Sequence, residues 1–337
     1  MVVVTKYDVT YKQQVLDLLL PLWGHMSPEK RETYFKWKYL DNPWAKDVLY
    51  FTAIDDARQK VVGVLGFLIV QYRLKGQPVN IATISDGVIH HEYRRQGIYD
   101  KLIRFGMDFV RENHGVFLCN ALSGNYPANQ GLIKLGSIPV AEKKIFYKTS
   151  LCDRFKHPGK QYSFICTKEP RPEDMAGLCK KLRNENVLSL NKTKEYLAWR
   201  YNNPHSRYGF AFVYKDNTLV AFISYYIISG YRFFILDYAY TEPEIFRSLV
   251  KFLIKNEKCR MLQLWTISKD SRELDFLHAI GFRPYVTLLR LLKKEIPSPV
   301  LVRPCIPEYK ESDFMIDGMD VRNEFNWEFN LICTDGI

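Results

Sequence analysis

The sequence predicts a mixed α/β fold in two tandem copies, each a mixed sheet packed with helices, the second copy degenerate. Three observations lead there. At 337 residues the chain is long for one domain. Strand and helix patterns run through the first half in the order β-α-α-β-β-β-α-β-α-β, which builds a mixed sheet covered by helices. Two segments of that half recur in the second, in the same order, and this argues for duplication.

The elements follow from local chemistry. Residues 13–20 have helical periodicity. Ser27-Pro28-Glu29 supplies an N-cap, a proline at the first helical position and an early acid, so a second helix starts there and runs through Tyr34, Trp37 and Lys38 until Asn42-Pro43 stops it. Strands follow over 48–54, 61–71 and 79–88, with turn chemistry at Asp55-Asp56 and Lys75-Gly76. A long helix is expected over 98–112, a strand over 116–122, a short helix over 128–135 and a strand over 143–147. The second half offers a meander of strands over 208–214, 219–228 and 231–238, then a helix over 243–255, a strand over 261–266 and a helix over 271–279.

Tyr34-x-x-Trp37-Lys38-Tyr39 with Asn42-Pro43 returns as Tyr196-x-x-Trp199-Arg200-Tyr201 with Asn203-Pro204. Leu132-x-x-Leu135-Gly136 returns as Leu277-x-x-Ile280-Gly281. The expected division is a first domain over 1–150, a second over 160–295, and an acidic, aromatic tail over 296–337. That tail is expected to pack on the body through Phe325, Trp327 and Phe329.

Composition narrows the function classes. The longest apolar stretch, 61–70, is about half of what a membrane helix needs, and the N-terminus lacks the order of a signal peptide, so a cytoplasmic protein is expected. Seven scattered cysteines form no C-x-x-C pair and no H-E-x-x-H occurs, so neither a disulfide framework nor a metal site is expected. The net charge is +11, yet residues 311–337 hold seven acids against Arg322 alone, a net −6 that leaves +17 on residues 1–310. A basic body suits polyphosphate ligands. Nucleic acid is disfavoured, because no run of Lys and Arg interleaved with aromatics marks a groove.

The informative chemistry is the loop Arg94-Arg95-Gln96-Gly97-Ile98-Tyr99. It joins the end of a strand near Ile89 to the start of the long helix. Free backbone N–H groups and the positive helix end then aim at an anion, Gly97 permits close backbone approach, and two arginines add charge. A basic first turn on an ordinary surface helix would look the same in isolation.

Residues 81–147 resemble the acyl-CoA-binding core of the GNAT (Gcn5-related N-acetyltransferase) superfamily. Arg94 and Gly97 fill the first and fourth positions of its pyrophosphate motif, and Tyr99 stands where a small residue is usual. Downstream, Asn125, Ala128, Leu132, Lys134 and Gly136-Ser137 keep the family's spacing, with Leu132 where a tyrosine often protonates the departing thiolate. The second half shows no such loop, and Asp237 to Pro243 presents acids at the helix start. The resemblance therefore implies one acyl-CoA, bound in the first half, with Val88 and Ile89 beside the pantetheine arm and Asn125 near it. It implies N-acyl transfer to a primary amine that must first lose a proton. Asp86 and His90 are the candidate bases on one strand face, with His91 a weaker third and Ser85 a relay. Tyr126 or Tyr99 is the candidate substitute for the missing thiolate acid. His25 lies where this fold often contacts the acceptor.

The architecture also resembles N-acyltransferases of nucleotide-linked amino sugars, implying a dTDP-amino-deoxysugar acceptor. Another small amine or peptide acceptor, and a non-catalytic acyl-CoA-binding protein, are the alternatives.

Overall fold

The computed structural model describes residues 1–44, 46–122, 126–149, 156–267, 271–285 and 299–333. The first half runs β1 (Val2–Lys6), α1 (Lys12–Leu18), α2 (Leu20–Trp23), α3 (Pro28–Phe35), β2 (Tyr50–Asp55), β3 (Lys60–Leu74), β4 (Gln77–Ile89), α4 (Ile98–His114), β5 (Leu118–Ala121), α5 (Tyr126–Lys134), β6 (Ile138–Glu142) and β7 (Lys144–Thr149). The second runs β8 (Tyr162–Thr167), α6 (Pro172–Leu182), β9 (Leu188–Leu190), α7 (Lys194–Tyr201), β10 (Tyr208–Lys215), β11 (Thr218–Ser229), β12 (Arg232–Tyr240), α8 (Pro243–Asn256), β13 (Met261–Thr266), α9 (Ser271–Ala279), β14 (Arg283–Pro284) and β15 (Pro299–Pro304). The mixed α/β class is as expected. Sequence reading counts β1 in the order without delimiting it and passes over β6, β8, α6, β9 and β15.

Each half builds one sheet with the same plan. The first is ordered β1-β2-β3-β4-β5-β15-β6, the second β8-β10-β11-β12-β13-β7-β14. In both, an antiparallel meander meets one parallel neighbour, β4 with β5 and β12 with β13. Helix α4 covers one face of the first sheet through Ile98, Leu102, Ile103, Met107 and Val110, which follow helical spacing and are buried. Its C-terminus closes on Gly115 at φ +62, whose N–H donates to the carbonyl of Arg111.

The division at residue 150 needs correction. Strand β7 does not return to the first sheet; it pairs antiparallel with β13 and β14 of the second. Its vacated place, between β5 and β6, is taken by β15 from the stretch read as tail. Val300, Leu301 and Val302 are fully buried there, and Phe146 of β7 is buried in the second half's core. The halves thus exchange strands: β7 goes to the second sheet and β15 to the first, where β9 of the second half also pairs with β3. Local alternation marks a strand but says nothing of which sheet it joins, because the partner is remote in sequence.

The repeated motifs meet face to face. The indoles of Trp37 and Trp199 stack at 5.0 Å, and each indole N–H donates to the other residue's carbonyl, at 2.7 and 2.8 Å. Flanking this pair, Trp44 stacks on Tyr196, and His205, its counterpart after the second Asn-Pro, packs edge-on to Tyr34. Such reciprocity is what an internal two-fold relation produces. Of the three tail aromatics, Trp327 and Phe329 are buried against Tyr72, whereas Phe325 is exposed.

A chain ending at residue 295 should lose the first sheet's β15 and leave β5 and β6 with open edges. We expect it to be insoluble or to melt without cooperativity by circular dichroism; a soluble truncated chain with an unchanged melting curve would contradict the strand exchange.

Candidate functional site

The ladder between β4 and β5 holds only at Ala82↔Cys119 and Thr83↔Asn120, where the Thr83 hydroxyl donates to the Asn120 side chain. Beyond Thr83, β4 continues to Ile89 with no partner on that side among the described residues, so the two parallel strands splay. On its other edge β4 carries a bulge. Ser85 pairs with Gly66 and Val88 with Val64, leaving Asp86 and Gly87 opposite Leu65 alone.

Asp86 sits in the bulge at φ +47, a left-handed conformation that aspartate tolerates better than most residues. The bulge turns its carboxylate toward the π-helical turn Lys36–Leu40 that continues α3. There Lys38 Nζ and the Tyr39 hydroxyl both donate to Asp86 Oδ2, each at 2.6 Å. Lys38 and Tyr39 are each only 2% exposed. Burial, reinforced by the Asp86 charge, holds the Tyr39 phenol well above its ordinary pKa. Gly66 is required here, since any side chain on it would strike the Tyr39 ring. Ser85 is buried and lies within hydrogen-bonding reach of Tyr39.

The loop after β4 forms an open cradle at the start of α4. Arg95 at φ +62 and Gly97 at φ +72 turn the chain into α4, and no side chain caps that helix. Within the described residues, the N–H groups of Arg95, Gly97, Ile98 and Tyr99 find no acceptor; the first helical bond is Lys101 N–H to the Gly97 carbonyl. A side chain on Gly97 would point into open space. Arg94, Arg95 and Gln96 are exposed; Arg94 Nε donates to the Ile89 carbonyl and Gln96 Nε2 to the Glu92 carbonyl, which ties the loop to the strand end. Val88 is buried and Ile89 half-buried beside the splay.

Tyr99 points away from this cradle. Its ring lies between Gly87 of β4 and Gly131 of α5, close enough that a side chain on either glycine would meet it. Burial pushes its pKa up to about 12, so it is protonated at neutral pH. Leu132 is buried among Ile98, Leu102 and Leu135, in the core and not in the cleft. Asn125 and the Tyr126 side chain lie outside the described residues.

The histidines are placed differently from expectation. His90 does not share a face with Asp86, because the intervening bulge breaks the alternation on which that expectation rested. Lys60 Nζ donates to His90 Nε2 at 3.1 Å, and His90 stacks on His91 at 4.5 Å. Burial and the Lys60 charge lower the His90 pKa, and its Nε2 lone pair is already engaged. His91 is exposed on the adjoining turn. The ligand atoms of His90, His91 and Glu92 lie within 4.8 Å of one another, but the Lys60 ammonium on the same ring opposes a cation there. His25 is exposed in the turn before α3.

Two contributors escaped sequence reading. Lys38 and Tyr39 belong to a motif noticed only as a repeat; the signal was a lysine flanked by aromatics that the fold buries whole. In the second half Asp237 holds the position of Asp86, fully buried, with Lys192 Nζ at 2.7 Å from Oδ1 and Asn330 Nδ2 donating to the same oxygen. There the strand leads into α8 through Glu242-Pro243-Glu244, with neither glycine nor arginine.

Comparison with known proteins agrees with this geometry. Residues 12–136 match the model of the acetyltransferase (GNAT) family. Among solved structures, a probable N-acyltransferase from Enterococcus faecalis V583 superposes with a TM-score of 0.71 at 13% identity, covering 90% of this chain and 73% of that one. A GCN5-related N-acetyltransferase from Anabaena variabilis gives 0.68 at 15% identity, over 91% and 73%. A tandem GNAT protein from the clavulanic acid biosynthesis pathway gives 0.57 at 12% identity, over 92% and 100%. No curated protein matches the sequence. No helix among the described residues is long and apolar enough to cross a membrane. Residues 12–136, with their splayed strands and open helix start, thus match the acetyltransferase (GNAT) family model and share the fold of these neighbours.

Proposed function

We propose that the chain is an acyl-CoA-dependent N-acyltransferase that binds its cosubstrate once, in the first half. The observation that carries this reading is the open N-terminal turn of α4, with unpaired N–H groups at the mouth of the β4–β5 splay. The diphosphate of coenzyme A belongs on residues 95–99, and the pantetheine arm along the free edge of β4 near Val88 and Ile89. The acceptor is a primary amine. Its nitrogen attacks the thioester carbonyl, the C–N bond forms, the C–S bond breaks, and coenzyme A leaves as a thiolate. The amine's proton passes to solvent, and the thiolate is met by a hydrogen-bond donor.

Tyr99 is our candidate for that donor. It stays protonated, and two glycines clear the space its ring occupies across the splay. Asp86 is better read as a positioning residue than as the base, since Lys38 and Tyr39 engage the same oxygen and fix the bulge. Ser85, beside Tyr39, is left as a polar relay. A nucleotide-linked amino sugar is the acceptor we favour, on the excess of basic charge over residues 1–310; dTDP or UDP should then compete with the acceptor and not with acyl-CoA. The buried Leu132 favours a second reading, a binding protein without turnover, which an acetyl-CoA assay with an amine panel separates.

Gly97→Glu should abolish coenzyme A binding by calorimetry, since it forces a side chain into a left-handed turn and places negative charge on the cradle. Tyr99→Phe should lower kcat by roughly 10²-fold with little change in the KM for acyl-CoA, as loss of a proton donor to the leaving group requires. A wild-type kcat in that variant would remove Tyr99 from the chemistry. Asp86→Asn should lower thermal stability and turnover together, while leaving the pKa values of the pH–rate profile in place. A general base would instead take the acidic limb with it, at a cost of roughly 10²–10⁴ in rate. His90→Gln should be nearly silent.

A further inference from the structure

The second half keeps the splay although it has lost the cradle. The β12–β13 ladder holds at Arg232↔Met261, Phe233↔Leu262 and Phe234↔Gln263, after which β12 runs on to Tyr240 and β13 to Thr266. A cavity of about 740 Å³ opens in that gap, within the range that holds a small organic molecule. Its walls are Tyr238 and Tyr240 from β12, Glu273 and Phe276 from α9, and Trp327 and Glu328 from the C-terminal segment. The rings are ordered by one another: Tyr238 stacks on Tyr240 at 6.3 Å, Phe276 lies 5.6 Å from Tyr240, and Trp327 stacks on Phe329 at 4.7 Å.

Among the described residues that line the cavity, the acids outnumber the bases: Glu273, Glu324 and Glu328 against Arg272. The Tyr238 hydroxyl donates to Glu273 Oε1 at 3.0 Å, which fixes that carboxylate at the wall. Behind the wall, Lys192 is consumed by Asp237, and Arg183 at the adjoining cavity is held by Asn191 and Glu185. Aromatic faces and carboxylates both favour a cation. Glu242 and Glu244 at the start of α8 oppose a diphosphate.

We infer that this cavity is a second small-molecule site, which takes an organic cation with an apolar or aromatic body. The inference stands independently of the acyl-transfer reading, because it uses no residue of the first half's cleft. Calorimetry on the full chain tests it with 2-phenylethylamine and benzyltrimethylammonium as probes and 3-phenylpropionate as the anionic control. Both cations should bind at one site per chain, and coenzyme A should not displace them. Glu328→Gln and Tyr240→Leu should each weaken binding by roughly tenfold, the scale of a lost carboxylate or cation–π contact. Gly97→Glu should leave cation binding intact. Should Tyr240→Leu fail to fold, the exposed Glu328→Gln carries the test alone. Preference for the anion, displacement by coenzyme A, or no saturation by either cation in the millimolar range would overturn the assignment.

Discussion

Neither sheet of this protein is complete without a strand from the other half. β15 must travel back from the C-terminal end to fill the place between β5 and β6, and β7 must leave the first half to pair with β13. The splay of β4 from β5 is therefore held in shape by chain that lies about two hundred residues downstream. The stacked Trp37–Trp199 pair, with its two reciprocal hydrogen bonds, locks the same arrangement from the other side. The strand beside β5 that supports the cleft therefore comes from outside the first half.

Within that frame the two halves share a plan and differ at the turn that follows the meander. Both keep an acid in the meander's last strand, Asp86 partly buried and Asp237 fully buried, and both give it a buried lysine. The lysines come from different places, Lys38 from the repeated motif itself and Lys192 from the segment before α7, where the motif instead carries Arg200. A buried pair of this kind contributes little net stability, but losing one partner strands a charge and is strongly destabilising. We read both pairs as devices that fix strand geometry. What comes after differs: Arg94 to Gly97 leads into an open helix start flanked by arginines, whereas Glu242-Pro243-Glu244 leads into an acidic one.

Much of this was legible in the sequence. The duplicated motifs, the meander, α4 and the glycine turn at Gly97 all follow from local patterns, and local patterns survive into the fold. The failures share a physical cause in non-local contact. The strand over 143–147 was read correctly as a strand and wrongly as a member of the first sheet, because pairing is decided by partners remote in sequence. Asp86 and His90 were placed on one face by strict alternation, and a two-for-one bulge opposite Leu65 breaks it. Tyr99 stood out as too large for its position; only the structure shows Gly87 and Gly131 making room for it.

The central claim is that coenzyme A docks on the first half's cradle and nowhere on its degenerate copy. Amide hydrogen exchange with and without coenzyme A addresses this directly, because the N–H groups of Arg95, Gly97, Ile98 and Tyr99 find no acceptor among the described residues. The account predicts slowed exchange at residues 95–99 and along 84–89, with residues 240–246 unchanged. Protection centred on the start of α8, or none at residues 95–99 under saturating coenzyme A, would contradict it.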